Sequence, residues 1–116
     1  MQSISDRTKI FALRIIKLYS ALPKSTEAQV IGKQLLRSGT SIGAHYREGR
    51  RARSTLEFIS KLEVGLQELE ESIYWIELLI EANIIAEIKI ASLLKEANEL
   101  ISILVEMVKN AKRRIK

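Results

Sequence analysis

From Ile59 onward, apolar residues recur at Leu62, Leu66, Leu69, Ile73, Ile76 and Ile80, in alternating steps of three and four. That spacing returns a side chain to one face of an α-helix at every turn, and its persistence marks the seam of a helical bundle. Ser54-Thr55-Leu56-Glu57 ahead of it has the form of a capping box, and Asn83 is a natural stop behind it. The pattern returns in Ile90, Leu93, Ala97, Leu100, Leu104 and Met107, with Leu94, Ile101 and Val108 widening the face. A further helix is therefore expected from about Ala86. Toward the N-terminus, Phe11, Ile15, Leu18 and Leu22 predict a helix over about Asp6 to Ala21, capped by Ser5 or Asp6 and closed by Pro23. Between these, Ile31, Leu35, Ser38, Ile42 and His45 form the inward stripe of another helix, with Thr26 and Gln29 as its capping box.

Four amphipathic helices joined by short loops cannot each bury a stripe alone. The economical arrangement is an all-α, antiparallel up-down-up-down four-helix bundle, one domain over residues 1–116. Composition agrees: 47% apolar and 28% charged residues suit a packed chain, and one Pro with five Gly leaves little punctuation for a sheet. The absence of cysteine removes disulfides, thiolate metal sites and cysteine nucleophiles together. The most apolar stretch, Ile73 to Leu94, carries Glu77, Glu81, Glu87 and Lys89, so no membrane span is expected. With no apolar signal region in its first residues, the chain is expected to be soluble and cytoplasmic.

Charge divides the chain into blocks. Residues 1–53 carry a net +8, residues 54–108 a net −8, and residues 109–116 a net +5. Such blocks attract an anionic polymer or neutralise one another between neighbouring helices or subunits, and both readings stand. Arg47, Arg50 and Arg51 share one helix face, with Arg53 just beyond. Guanidinium forks suit phosphates, so these four are the candidate nucleic-acid contacts, with Lys112, Arg113 and Arg114 of the basic tail as secondary candidates. The competing role for the first group is to complement a helix C-terminus or to pair with acids of a neighbouring subunit.

Little else carries chemistry. His45 is the only histidine, and only carboxylates could join it at a metal, so it reads as a packed or hydrogen-bonded side chain. Glu48 and Glu57 have no signalled nucleophile to serve. The run Ser38-Gly39-Thr40-Ser41-Ile42-Gly43 lacks the spacing of a phosphate loop. Gly39 and Gly43, four apart, favour close helix approach or a kink over ligand contact, and Gly65 and Ser72 offer a similar small-residue line. Tyr74, Trp75, Leu78 and Ala82 fall away from the Ile59 seam and form a candidate oligomer contact. No metal, cofactor or small-molecule substrate is expected.

The stretch from Leu22 to Leu79 resembles the small bacterial proteins known from intervening sequences in 23S ribosomal RNA genes. The shared elements are Pro23-Lys24, the run QLLRSGTSIGA, Glu48-Gly49 with following arginines, EFISKL and ELEES. The resemblance implies a four-helix bundle assembling as a homopentamer. It also implies kinship with the accessory variability determinant proteins of diversity-generating retroelements, similar pentamers that engage nucleic acid and reverse transcriptase. It brings no catalytic residues, and RNA binding is a suggestion for the family, not an assigned activity. Where the family pattern places Asn, Ile and a small residue, this chain has His45, Tyr46 and Arg47, which makes its arginine face more basic. The expectation is a non-enzymatic oligomer contacting RNA or a nucleoprotein through basic surfaces. The alternative is a structural or protein-interaction module whose charges serve assembly alone.

Overall fold

The computed structural model describes residues 2–115 and folds them into four helices: α1 (Ile4–Ala21), α2 (Thr26–Arg50), α3 (Thr55–Glu81) and α4 (Glu87–Arg114). They run up, down, up and down. α1 packs on α2 and sparsely on α4, α3 packs on α2 and α4, and the diagonal pairs make no close backbone approach. The result is a rod of 49 × 22 × 21 Å.

Serine side chains start three of the helices, one residue earlier than the sequence reading in one case and two or more in another. Ser3, not Ser5 or Asp6, caps α1 by accepting from the Asp6 amide at 3.1 Å. Ser25, not Thr26, caps α2 by accepting from the Ala28 amide. Gln29 turns away from the cap, accepts from the Tyr19 hydroxyl and donates to the Pro23 carbonyl, tying α2 to the end of α1. Ser54 caps α3 through the Glu57 amide at 3.1 Å, as the sequence suggested. α4 has no side-chain cap at Ala86. The turn into it is set by Asn83, whose φ of 58° lets the Ile84 and Ile85 amides return to the Leu79 carbonyl.

The core is formed by Phe11, Ile15, Leu35, Ile42, Leu62, Leu69, Ile76, Leu79, Ile90, Leu100 and Leu104, all essentially inaccessible. On α3 the deepest line is not the expected seam throughout. Gly65, Ser72 and Leu79 are buried, while Leu66, Ile73 and Ile80 are only half-buried at the edge of the core. The small side chains explain the rotation: Ser72 meets Ser38 of α2 by a 2.8 Å hydrogen bond, and Gly65 lies against the Ile42 carbonyl and His45. On α4, Val108 is buried where Met107 was expected to lead.

α2 is unbroken through Gly39 and Gly43, and the small residues serve close approach. Their neighbour is α1. A Cβ on Gly39 would stand 2.8 Å from Ile15 Cγ1, and one on Gly43 would stand 2.9 Å from Thr8 Oγ1.

Candidate nucleic-acid interface

Gly49 sets the geometry of the arginine end. It is buried at the last turn of α2, where a Cβ would lie 2.9 Å from Leu62 Cδ1, so α2 closes directly onto the start of α3. The flanking residues Arg47, Arg50 and Arg51 are thereby held on the exposed side of that turn. The Arg51 and Ala52 amides bond back to the Glu48 and Gly49 carbonyls, and Arg53 follows immediately before the α3 cap.

Three shallow depressions meet here. One, between α1 and α2, is lined by Thr8, Lys9, Thr40, Gly43 and Arg47 among others. The next is lined by Ser5, Arg47, Glu48, Arg50 and Arg51. The third is lined by Arg50, Arg53, Ser54, Thr55, Phe58 and Arg114 among others. Because Arg47 and Arg50 are each shared by two depressions, they form one path from the α1–α2 face around the end of the rod to the tail of α4. The tail candidates separate along it. Arg114 joins the path, whereas Lys112 pairs with Glu63 of α3 at 3.2 Å and Arg113 donates to Asn110 at 2.8 Å.

The contrast with the other cations is electrostatic. Arg7 of α1 forks onto Glu96 and Glu99 of α4, at 2.6 and 3.1 Å. Arg37 of α2 pairs with Glu68 at 3.2 Å and with Glu71 of α3. Both guanidiniums are held further above their ordinary range, chiefly by hydrogen bonds to Glu96 and Glu71 respectively. Two bases of the front block are thus paired with acids of the middle block inside the chain. Arg47, Arg50, Arg51, Arg53 and Arg114 have no ion-pair partner among the described residues. The one acid in their midst is engaged elsewhere. Glu48 Oε1 lies 3.3 Å from Lys61 Nζ and 3.5 Å from His45 Nδ1, and the Lys61 hydrogen bond is the main reason its carboxyl sits below the usual range.

His45 is half-buried, as a packing residue should be, but its Nδ1 is buried without a hydrogen bond among the described residues. No group of three His, Asp or Glu side chains among the described residues could hold a metal ion. No helix is long and apolar enough to cross a membrane. Among the described residues no aromatic ring stands free beside the arginines: Tyr46 and Phe58 are half-buried against the core.

The candidate oligomer patch is narrower than its sequence suggested. Tyr74 is 53% exposed and Ala82 is exposed, but Leu78 is half-buried. Trp75 does not point outward; it packs against the core edge, stacks edge-on with Tyr74 at 5.1 Å and donates to Glu71 at 2.9 Å.

A family model described as 23S rRNA-intervening sequence protein matches residues 2–106. The match stops short of the basic tail. A crystal structure of a protein of unknown function from the S23 ribosomal protein family of Bacteroides thetaiotaomicron is similar over 92% of this chain and 99% of that one, with 39% identity and a TM-score of 0.87. No curated protein matches. With the family model matched over residues 2–106 and the fold shared over nearly the whole length, the chain belongs to the 23S rRNA-intervening sequence protein family.

Proposed function

We propose that this protein is a non-enzymatic, cytoplasmic homo-oligomer, a pentamer by its family resemblance, that contacts RNA or a ribonucleoprotein through the arginine end of each bundle. The observation that carries the reading is the partition of cations. Arg7 and Arg37 are consumed by acids of their own chain, while Arg47, Arg50, Arg51, Arg53 and Arg114 share one path and have no ion-pair partner among the described residues. Arginine forks with no exposed stacking ring suit the phosphate backbone better than bases, so contact is tolerant of sequence.

The test is titration of RNA at several salt concentrations. Five phosphate contacts on a single strand give a slope of log affinity against log salt of about −3.5. Replacing Arg47, Arg50 and Arg51 together by Ala reduces the steepness by about 2 and weakens binding at every salt concentration. Binding unchanged in the triple variant overturns the assignment. Absence of RNA binding by the native chain leaves the structural-module reading in its place.

A further inference from the structure

Glu48 is the one acid among the residues that line the three arginine depressions. Two other acids of this end, Asp6 and Glu57, stand in the first turns of α1 and α3, where a carboxylate complements the helix N-terminus, and line none of them. A carboxylate among guanidiniums is a rival for phosphate, because it fits the same fork of donors and belongs to the same chain. Where Glu48 places its charge therefore sets how many arginines stay open to a ligand.

Two cations compete for it. Arg51 follows Glu48 by three residues, in a turn still closed by the Arg51 amide on the Glu48 carbonyl at 3.1 Å, so their side chains are neighbours on one helix surface. Lys61 approaches instead from α3, and the structure shows that partner taken. Glu48 Oε1 lies 3.3 Å from Lys61 Nζ, and Glu48 makes no ion pair with Arg51. Gly49 is what lets the lysine reach. A Cβ there would stand 3.3 Å from Lys61 Cβ, so the lysine stem lies directly against the last turn of α2, one residue beyond Glu48. His45, one turn before Glu48, faces the same oxygen at 3.5 Å with its buried Nδ1, which has no hydrogen bond among the described residues. Lys61 is the stronger of the two holds: its hydrogen bond and its charge, ahead of those of His45, keep the Glu48 carboxyl below its usual range.

We infer that Lys61 is a positioning residue for the arginine end: by holding Glu48 on the α3 side, it keeps the Arg51 guanidinium free for a phosphate. Without the Lys61 ammonium, Glu48 turns to Arg51 and occupies the fork that a phosphate would take. Lys61 touches no phosphate itself; it acts through Glu48, which is the built-in competitor of the ligand. The inference rests on the RNA contact of the proposed function and adds to it the pair that regulates how many arginines take part.

Single-stranded RNA titrated against the full chain at several salt concentrations provides the test. Lys61→Met, which keeps the apolar stem against Gly49, is expected to weaken binding. It is also expected to make the slope of log affinity against log salt shallower by about 0.7, the share of one phosphate contact on a single strand. Lys61→Arg is expected to bind as the native chain does. Adding Glu48→Gln to Lys61→Met is expected to restore affinity. Adding Glu57→Gln instead, which returns the same net charge at the same end of the rod, is expected not to. Undiminished binding by Lys61→Met overturns the inference. So does a loss that persists in Lys61→Met with Glu48→Gln, which makes Lys61 a direct phosphate contact or a determinant of the fold. Restoration by Glu57→Gln overturns it as well, since charge count and not the place of Glu48 then decides. A second arm needs no RNA. The Arg51 Nε–Hε resonance is expected to shift in Lys61→Met and to return when Glu48→Gln is added; an unmoved resonance overturns the inference. A native chain that binds no RNA overturns the proposed function instead, while the Arg51 resonance still decides where Glu48 turns.

Discussion

At Gly39 two effects of opposite sign compete, and distances decide between them. Alanine in a helix interior is favoured over glycine by about 1 kcal/mol. A methyl at Gly39, however, would meet Ile15 at 2.8 Å from Cγ1 and 3.1 Å from Cγ2, and Ile15 is fully buried and branched at Cβ. Overpacking of that kind costs about 1–3 kcal/mol. Gly39→Ala is therefore expected to lower stability in urea unfolding despite its helix propensity. Gly65 supplies the comparison, since a methyl there meets nothing closer than 3.8 Å. Gly65→Ala is expected to raise stability by up to about 1 kcal/mol in the same measurement. The four-residue spacing of Gly39 and Gly43 marked a small-residue face in the sequence. It did not say that α1, and not the Gly65–Ser72 line of α3, would occupy it, because that depends on how the helices are turned toward one another.

Between α2 and α3 the decisive element is a polar strip along a close helix contact. Ser38 bonds Ser72 in the core, Ser41 bonds Glu68, and Arg37 holds Glu68 and Glu71 at the surface. Trp75 is drawn into the strip by its bond to Glu71. That bond, followed by the Arg37 guanidinium, keeps the Glu71 carboxyl below its ordinary 4.5. The unfolded chain then takes up this proton at higher pH than the folded one. The stability contributed by Glu71 is complete above about pH 4.5 and is lost as pH falls through its lower folded value. Glu71→Gln is expected to flatten the loss of stability as pH falls below about 4.5, measured by urea unfolding at a series of pH values. Trp75 illustrates the limit of heptad reading. Its position predicts an outward side chain, and a glutamate one turn earlier pins it against the core edge.

For the whole molecule, the arginine end and the candidate oligomer patch are separate surfaces. Arg47, Arg50 and Arg51 lie at one end of the rod, while Tyr74 and Ala82 lie toward and just beyond the far end of α3. Replacing the three arginines by Ala is thus expected to leave the native mass unchanged in light scattering, at five times the 13.2 kDa of one chain for a pentamer, while RNA affinity falls. Loss of mass together with affinity would assign those arginines to subunit contacts. The amino-acid sequence by itself determined the four helices, their approximate ends, the apolar stripes and the candidate arginine face, because helical periodicity and capping are properties of neighbouring residues. Only the tertiary structure decided which cations remain unpaired. Arg37 and Arg47 read alike along the chain, but the glutamates of α3 that neutralise Arg37 lie 31 and 34 positions away. Arg114, more than sixty residues beyond Arg50, joins it in one depression because antiparallel α4 ends where α2 ends. Ion pairing depends on which faces meet across the bundle, a long-range property that no local pattern encodes.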